Sequence, residues 1–174
     1  KQFLGAIAIG LTIIAYYPYI RSIIQGKTKP HVFSWVIWGT STCIVFLAQL
    51  ADKGGAGAWV IGFSGIISIY VAFLAYIKRS DSSITRIDRL FFIVAMTALP
   101  IWYLTSDPLW AVVILTTVDV FGFAPTFRRS YISPFEEQLM FYVVMALRNL
   151  VVVSALKKYS LTTVLFPATI ALAC

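Results

Sequence analysis

Charged residues are scarce in this sequence. Only 12% of its 174 residues are Asp, Glu, Lys or Arg, whereas 60% are hydrophobic, and the mean hydropathy is +0.87. Soluble domains carry about 25% charged residues. The deficit argues against an ordinary soluble enzyme or nucleic-acid-binding domain. Because apolar segments recur along the whole length, the sequence predicts an integral membrane protein that crosses the bilayer several times.

Residues that carry reactive or metal-binding chemistry are equally scarce. The sequence has one histidine, His31, and two cysteines, Cys43 and Cys174, and none of them has a metal-type ligand nearby. There is no serine–histidine, His/Cys or phosphate-loop constellation, so we expect no enzyme, no metal and no cofactor. The net charge of +7 does not indicate a nucleic-acid partner, because cations gather in the cytoplasmic loops of membrane proteins.

Seven apolar segments are present when about 20 residues are taken as the length that spans the hydrocarbon core. We expect the fourth to be kinked or broken at Pro100, and the seventh to be cut short at residue 174. The segments cover residues 3–24, 32–51, 56–77, 89–105, 108–127, 138–156 and 160–174.

The connections predict how these segments group. Three connections are very short, whereas residues 78–88 form the longest and most polar one. We therefore predict an all-α fold with two three-helix bundles, residues 1–77 and 108–174, joined by a linker and fourth helix in residues 78–107. Nine of the fourteen Lys and Arg residues lie near connections one, three and five. This distribution places the N-terminus outside and the C-terminus in the cytoplasm. We expect the membrane to be the cytoplasmic membrane of a bacterium.

An internal repeat relates the two bundles. Pro18 and Arg21 close segment one as Pro125 and Arg128 close segment five, and a second proline follows each pair before the next helix. Parallel repeats of this kind occur in transporters. A proline removes a backbone hydrogen bond and weakens a helix, so Pro18 and Pro125 are predicted hinges. The alternative is that each membrane helix tolerates its proline without any motion.

This pattern resembles the PQ-loop superfamily, which includes the SWEET sugar transporters, their half-size bacterial relatives and cystinosin. The resemblance implies a three-plus-one-plus-three layout and alternating exposure of a central site. Tyr19 and Thr126 stand where the motif has glutamine, and segments three and seven lack the sugar-binding asparagines of SWEET proteins. The resemblance therefore supports the fold more than sugar as substrate. The motif residues are Pro18-Tyr19, Lys27-Thr28, Ser34-Trp35 and Trp38, and in the second copy Pro125-Thr126, Ser133-Pro134 and Tyr142.

A lone carboxylate, Asp119, lies in the middle of segment five. A charge near the bilayer centre normally faces a cavity or a partner. The candidate partner is Arg148, in the middle of segment six with Asn149 beside it. Two interpretations stay open. In the first, Asp119 lines a cavity, where it binds a polar or cationic solute or exchanges a proton, and Arg148 binds an anionic group or holds the pKa of Asp119. In the second, the two charges form a static lock between the helices.

Three further residues complete the predicted substrate-binding set. Thr116 lies one turn before Asp119 on the same helical stripe, and the repeat places Thr12 in the corresponding slot of segment one. The family position of Trp38 predicts a flat apolar face for a ring-shaped solute. The predicted binding residues are Asp119, Arg148, Asn149, Trp38, Thr12 and Thr116.

The sequence as a whole predicts a transporter of a small polar solute (sugar-like, amino-acid-like or vitamin-like) that works by alternating access. The alternative is a non-transporting multi-pass subunit or receptor of a membrane complex. The expected partners are the solute, the lipid bilayer, and either further copies of the chain or other membrane chains. A central cavity containing Asp119 would favour transport, whereas a packed centre with Asp119 locked to Arg148 would favour the subunit.

Overall fold

The computed structural model describes residues 1–28, 30–78, 86–123 and 139–174, except for the side chains of Asp88 and Leu139. Within these ranges the chain is helical and contains no strand. The seven helices are α1 (Gln2–Ile24), α2 (Val32–Ala51), α3 (Ala56–Ile77), α4 (Arg86–Thr105), α5 (Pro108–Gly122), α6 (Leu139–Ala155) and α7 (Leu161–Ala173).

Most helix bounds agree with the apolar segments. α2 and α3 match the predicted bounds, α1 differs by one residue at its start, and α6 and α7 differ by one residue at each end. α4 continues through Pro100, so the helix is not broken there, and the alternative of a kink at Pro100 stays a prediction. α5 ends at Gly122, earlier than expected, which is consistent with the tendency of helices to end before a proline. Pro125 itself lies outside the described residues, as do Lys29, Thr126, Arg128, Arg129, Ser133, Pro134, Glu136 and Glu137.

Two helices of the second half begin at capping residues. The carboxylate of Asp107 accepts a hydrogen bond from the backbone N–H of Leu109 at 2.9 Å, and Pro108 occupies the first turn of α5. Ser160 and Thr163 form a capping box at the start of α7. Such caps satisfy backbone N–H groups that have no partner inside the helix. They set where both helices start.

Three helices, α1 to α3, are long and apolar enough to cross a membrane. The described residues also form four shorter apolar helices. Large apolar side chains are exposed on the outside of the fold, including Ile66, Phe73 and Leu104. Such exposed apolar surface is far more than a soluble monomer carries. The fold therefore favours association with a membrane.

The helices surround a central region without following their order in the chain. α1 packs on α3 and α6, whereas α5 packs on α2, α4 and α7. α2 packs most extensively on α3, and α6 also contacts α3 and α7. Chain neighbours α5 and α6 therefore have different principal neighbours. This arrangement determines which polar side chains meet.

Small residues bring α2 and α3 into close contact. A Cβ atom at Gly65 would lie 2.8 Å from the sulfur of Cys43 and 3.1 Å from its backbone nitrogen. A Cβ at Gly62 would lie 2.8 Å from the ring of Phe46. Small residues at such positions allow two membrane helices to approach closely. The contact fixes the position of α2 relative to α3.

The substitution Gly65→Ala tests this close contact. The new methyl group would overlap Cys43, including its backbone, so we expect a loss of about 1–3 kcal/mol in stability. Gly10→Ala is the matched control, because a Cβ there meets no atom within 4 Å. Thermal unfolding in detergent should show a lower Tm for Gly65→Ala only. Equal Tm values for the two variants would contradict the close packing.

Candidate functional site

A cavity of about 680 Å³ lies between the helices. It extends from the connection between α1 and α2, where Lys27 and His31 line it, to the level of Arg148 in the middle of α6. α1, α2, α3, α5, α6 and α7 all contribute to its wall, whereas no described side chain of α4 lines it. The cavity is large enough for a small organic solute.

Asp119 lines this cavity from α5. Its side chain is only 3% exposed, and its Oδ1 has no hydrogen-bond partner in the described part of the chain. Ser41 of α2 lies beside the carboxylate. The hydroxyl groups of Ser41 and Thr116 are buried and also lack a partner among the described residues. A buried acceptor without a partner is costly, so this wall has unused capacity to bind a donor.

Arg148 lines the cavity from α6 and is 2% exposed. Its Nε donates to the hydroxyl of Thr12 on α1 at 3.1 Å, and its Nη2 donates to the backbone carbonyl of Val60 on α3 at 2.8 Å. Its Nη1 donates to the side-chain oxygen of Asn149 at 2.8 Å. Asn149 is itself held by a bond from its amide nitrogen to the carbonyl of Met145. The guanidinium therefore joins three helices.

The expected pairing of Asp119 with Arg148 is wrong, although both side chains line the same cavity. No ion pair joins them, and Arg148 takes its partners from α1, α3 and its own helix. The reason is the packing of the helices, since α5 and α6 have different principal neighbours. The static lock between the two charges is therefore not formed.

The other predicted site residues divide into two groups. Trp38 and Asn149 line the cavity, whereas Thr12 and Thr116 lie buried behind its wall. Thr12 supports Arg148, and its hydroxyl donates to the carbonyl of Ala8 at 2.8 Å. The predicted hinge Pro18 lies inside α1, which continues through it to Ile24. The second hinge, Pro125, lies outside the described residues.

Aromatic rings line the half of the cavity nearer the α1–α2 connection. Tyr19 lies between Trp35 and Phe141, with both ring centroids 5.3 Å away. Trp38 lies 5.7 Å from Phe123, the residue that caps α5. The indole of Trp38 also occupies the space beside Gly122, where a Cβ would come within 2.6 Å of its Nε1. Position 122 must therefore be glycine for Trp38 to lie against α5.

Several polar cavity residues were not among the predicted binding residues, and three of them form a hydrogen-bonded cluster. The hydroxyl of Tyr16 on α1 shares hydrogen bonds with Ser68 at 3.0 Å and with Ser64 at 3.4 Å, both on α3. All three line the cavity. Tyr16 follows Thr12 by four residues and so lies on the same helix face, a signal that would have identified it. Ser64 and Ser68 follow the same spacing on α3.

The opposite end of the helices is held together by contacts between two connections. Asp52, after α2, forms an ion pair with Lys158 and a hydrogen bond with Ser160, both before α7. The backbone N–H of Lys157 donates to the carbonyl of Gly54 at 2.9 Å. These contacts lie at the end of α2 away from the α1–α2 connection. They close the fold at that end.

The charge of Asp52 is stabilised by these contacts. Partial burial alone would raise the pKa of Asp52, but the hydrogen bonds from Lys158 and Ser160 and the positive charge of Lys158 outweigh it and lower the pKa. Deeper in the fold, the side-chain amide of Gln49 on α2 donates to the carbonyl of Thr163 on α7 at 2.9 Å. Both sets of contacts join α2 to the start of α7.

The substitution Thr12→Val tests the support of Arg148. It removes the acceptor for Nε and leaves a buried charged donor unpaired, at a cost of about 1–3 kcal/mol. Thr117→Val is the matched control, because the hydroxyl of the exposed Thr117 bonds only the carbonyl of Val113 in its own helix. We expect a clear fall in Tm for Thr12→Val and little change for Thr117→Val. Indistinguishable Tm values would show that the Thr12 bond does not hold Arg148.

The chain matches no protein-family model, and it also matches no curated protein and no solved structure. The resemblance to PQ-loop proteins therefore depends only on the residues named from the sequence.

Proposed function

We propose that the chain is a multi-pass membrane transporter that moves a small polar solute by alternating access. The observation that carries this proposal is the cavity of about 680 Å³ that contains the unpaired carboxylate of Asp119 and the buried guanidinium of Arg148 on separate walls. Charged groups inside a membrane protein normally serve a ligand or an ion pathway. A packed centre with the two charges locked together would have favoured the subunit or receptor instead.

The topology belongs to the same proposal. All seven helices cross the bilayer as three, one and three, and the parallel repeat relates α1–α3 to α5–α7. The connection between α1 and α2 faces the cytoplasm, as the distribution of Lys and Arg favours. In bacteria the membrane would be the cytoplasmic one. The end of the cavity that Lys27 and His31 line would then face the cytoplasm.

The contacts at the other end support a closed outer face in this conformation. Asp52, Lys158 and Ser160 join the two outer connections, and Gln49 joins α2 to α7 beneath them. Exposed ion pairs are weak, typically about 0–1 kcal/mol. A closure made of such contacts is easily opened, as alternating access requires. The helices would separate there when the solute leaves to the outside.

Uptake into liposomes tests transport. The purified chain, reconstituted into vesicles, should admit at least one radiolabelled sugar, amino acid or vitamin faster than empty vesicles do. Asp119→Asn should slow that uptake about tenfold, corresponding to about 1.4 kcal/mol of lost interaction. Asp107→Asn is the matched control, because Asp107 caps α5 outside the cavity and Asn caps equally well.

The outcomes separate the two functions. Unchanged uptake by Asp119→Asn would reject the role of Asp119 but leave transport standing. Uptake of no solute by the intact chain would reject transport and favour the subunit or receptor.

The hinge proposal yields a second prediction. Pro18→Ala restores a backbone donor inside α1, so Tm should rise, because an interior proline costs about 3 kcal/mol. If Pro18 is a hinge, the stiffer helix should also slow uptake severalfold. Pro100→Ala is the control, because Pro100 lies inside α4, of which no described side chain lines the cavity. It should raise Tm and leave uptake unchanged. Equal uptake by both variants would refute the hinge at Pro18.

A further inference from the structure

The cavity offers opposite charges on separate walls. Asp119 belongs to α5, which packs on α2, whereas Arg148 belongs to α6 and bonds to α1 and α3. The two side chains form no ion pair with each other. Neither charge therefore cancels the other by direct contact. Each is offered to whatever occupies the space between the walls.

The negative wall has an unused acceptor. Oδ1 of Asp119 is buried and has no hydrogen-bond partner in the described part of the chain. An ammonium group would supply N–H donors to this oxygen and a positive charge to balance the carboxylate. About one helical turn after Asp119, Trp38 packs against Gly122 and lies beside Phe123, the residue that caps α5. Aromatic faces beside a carboxylate favour a cation, because the ring quadrupole attracts positive charge.

The positive wall has unused donors. A guanidinium carries five N–H groups, and Arg148 uses one each from Nε, Nη1 and Nη2 for Thr12, Asn149 and Val60. One N–H on each Nη is therefore left without an acceptor in the described part of the chain. Charged N–H donors on a guanidinium suit the oxygens of a carboxylate. This wall suits the anionic end of a ligand.

Charge balance decides between the ligand classes. A ligand with only a positive charge would leave the guanidinium of Arg148 uncompensated beside it, and one with only a negative charge would leave Asp119 without the cation that favours its ionised form. A buried charge without a partner is strongly destabilising. A ligand that carries both charges compensates both walls. A neutral sugar would leave both charges uncompensated.

We propose that this cavity binds a zwitterion, with an ammonium group at Asp119, a carboxylate at Arg148, and an aromatic or large apolar body among Tyr19, Trp35, Trp38 and Phe141. The inference rests on the proposed transport site and names its substrate class. The aromatic lining and the cavity volume call for the apolar body, because the two charged groups alone would fill little of the space.

Four probes that differ in whether they carry an ammonium group, a carboxylate, both or neither test the proposed ligand class. L-phenylalanine carries both charges, phenethylamine only the ammonium, 3-phenylpropionate only the carboxylate, and glucose carries neither charge. Calorimetry on the purified full chain in detergent, near neutral pH, measures each affinity. Phenylalanine should bind about tenfold or more tightly than either single-charge analogue, since each lost charged contact is worth a factor of that order.

Variants assign the two ends. Asp119→Asn should weaken phenylalanine and phenethylamine about tenfold and leave 3-phenylpropionate unchanged. Arg148→Lys keeps the positive charge but loses the planar fork, so it should weaken phenylalanine and 3-phenylpropionate and leave phenethylamine unchanged. Because Arg148 also joins helices, the Tm of the Arg148→Lys variant is compared with that of Thr117→Val. If Arg148→Lys unfolds, the Asp119→Asn result alone decides.

Each outcome has a defined consequence. The zwitterion class is overturned if phenethylamine or glucose binds as tightly as phenylalanine, or if none of the four probes binds. In those cases uptake of another solute into liposomes would still uphold transport. If phenylalanine binds as expected but is not carried into vesicles, the binding class stands and the transport function fails.

Discussion

The interaction on which the rest of the interior depends is the burial of the Arg148 guanidinium. A charge removed from water is tolerated only when its donors are bonded. Thr12, Val60 and Asn149 accept three of these bonds, and they come from three different helices. The positions of α1, α3 and α6 are therefore coupled through one side chain. These bonds hold Arg148 on one wall of the cavity.

Separating the two charges has a cost that the fold does not recover by itself. The carboxylate of Asp119 remains partly unbonded, and so do the nearby hydroxyls of Ser41 and Thr116. At the other end of α2, the side-chain amide nitrogen of Gln49 donates to the backbone carbonyl of Thr163, whereas its Oε1 also lacks a partner among the described residues. Unsatisfied polar atoms beside a cavity are the feature from which we propose a bound solute, since buried polar groups are normally hydrogen-bonded.

The sequence predicted the helices well and the side-chain partners less well. Apolar length placed α2 and α3 to the residue, because hydrophobic segments in a membrane protein have sharp ends. The partner of Asp119 was mispredicted, because adjacency in the chain does not decide which helices pack together. Tyr16 was not predicted, although its spacing from Thr12 placed it on the same helix face, and its bonds to Ser64 and Ser68 show its position at the cavity wall.

The bonds of Arg148 also constrain how the two halves can move. Thr12 and Val60 belong to the first half of the chain and Arg148 to the second, so a movement that parted the halves at this level would break two bonds to a buried charge. Bonds to charged groups are worth about 1.5–3 kcal/mol each. The exposed pair of Asp52 and Lys158 is far weaker. Under the proposed alternating access, rocking about Arg148 as a pivot, with the Asp52 end opening while the aromatic end closes, would therefore cost less than a movement that breaks these bonds.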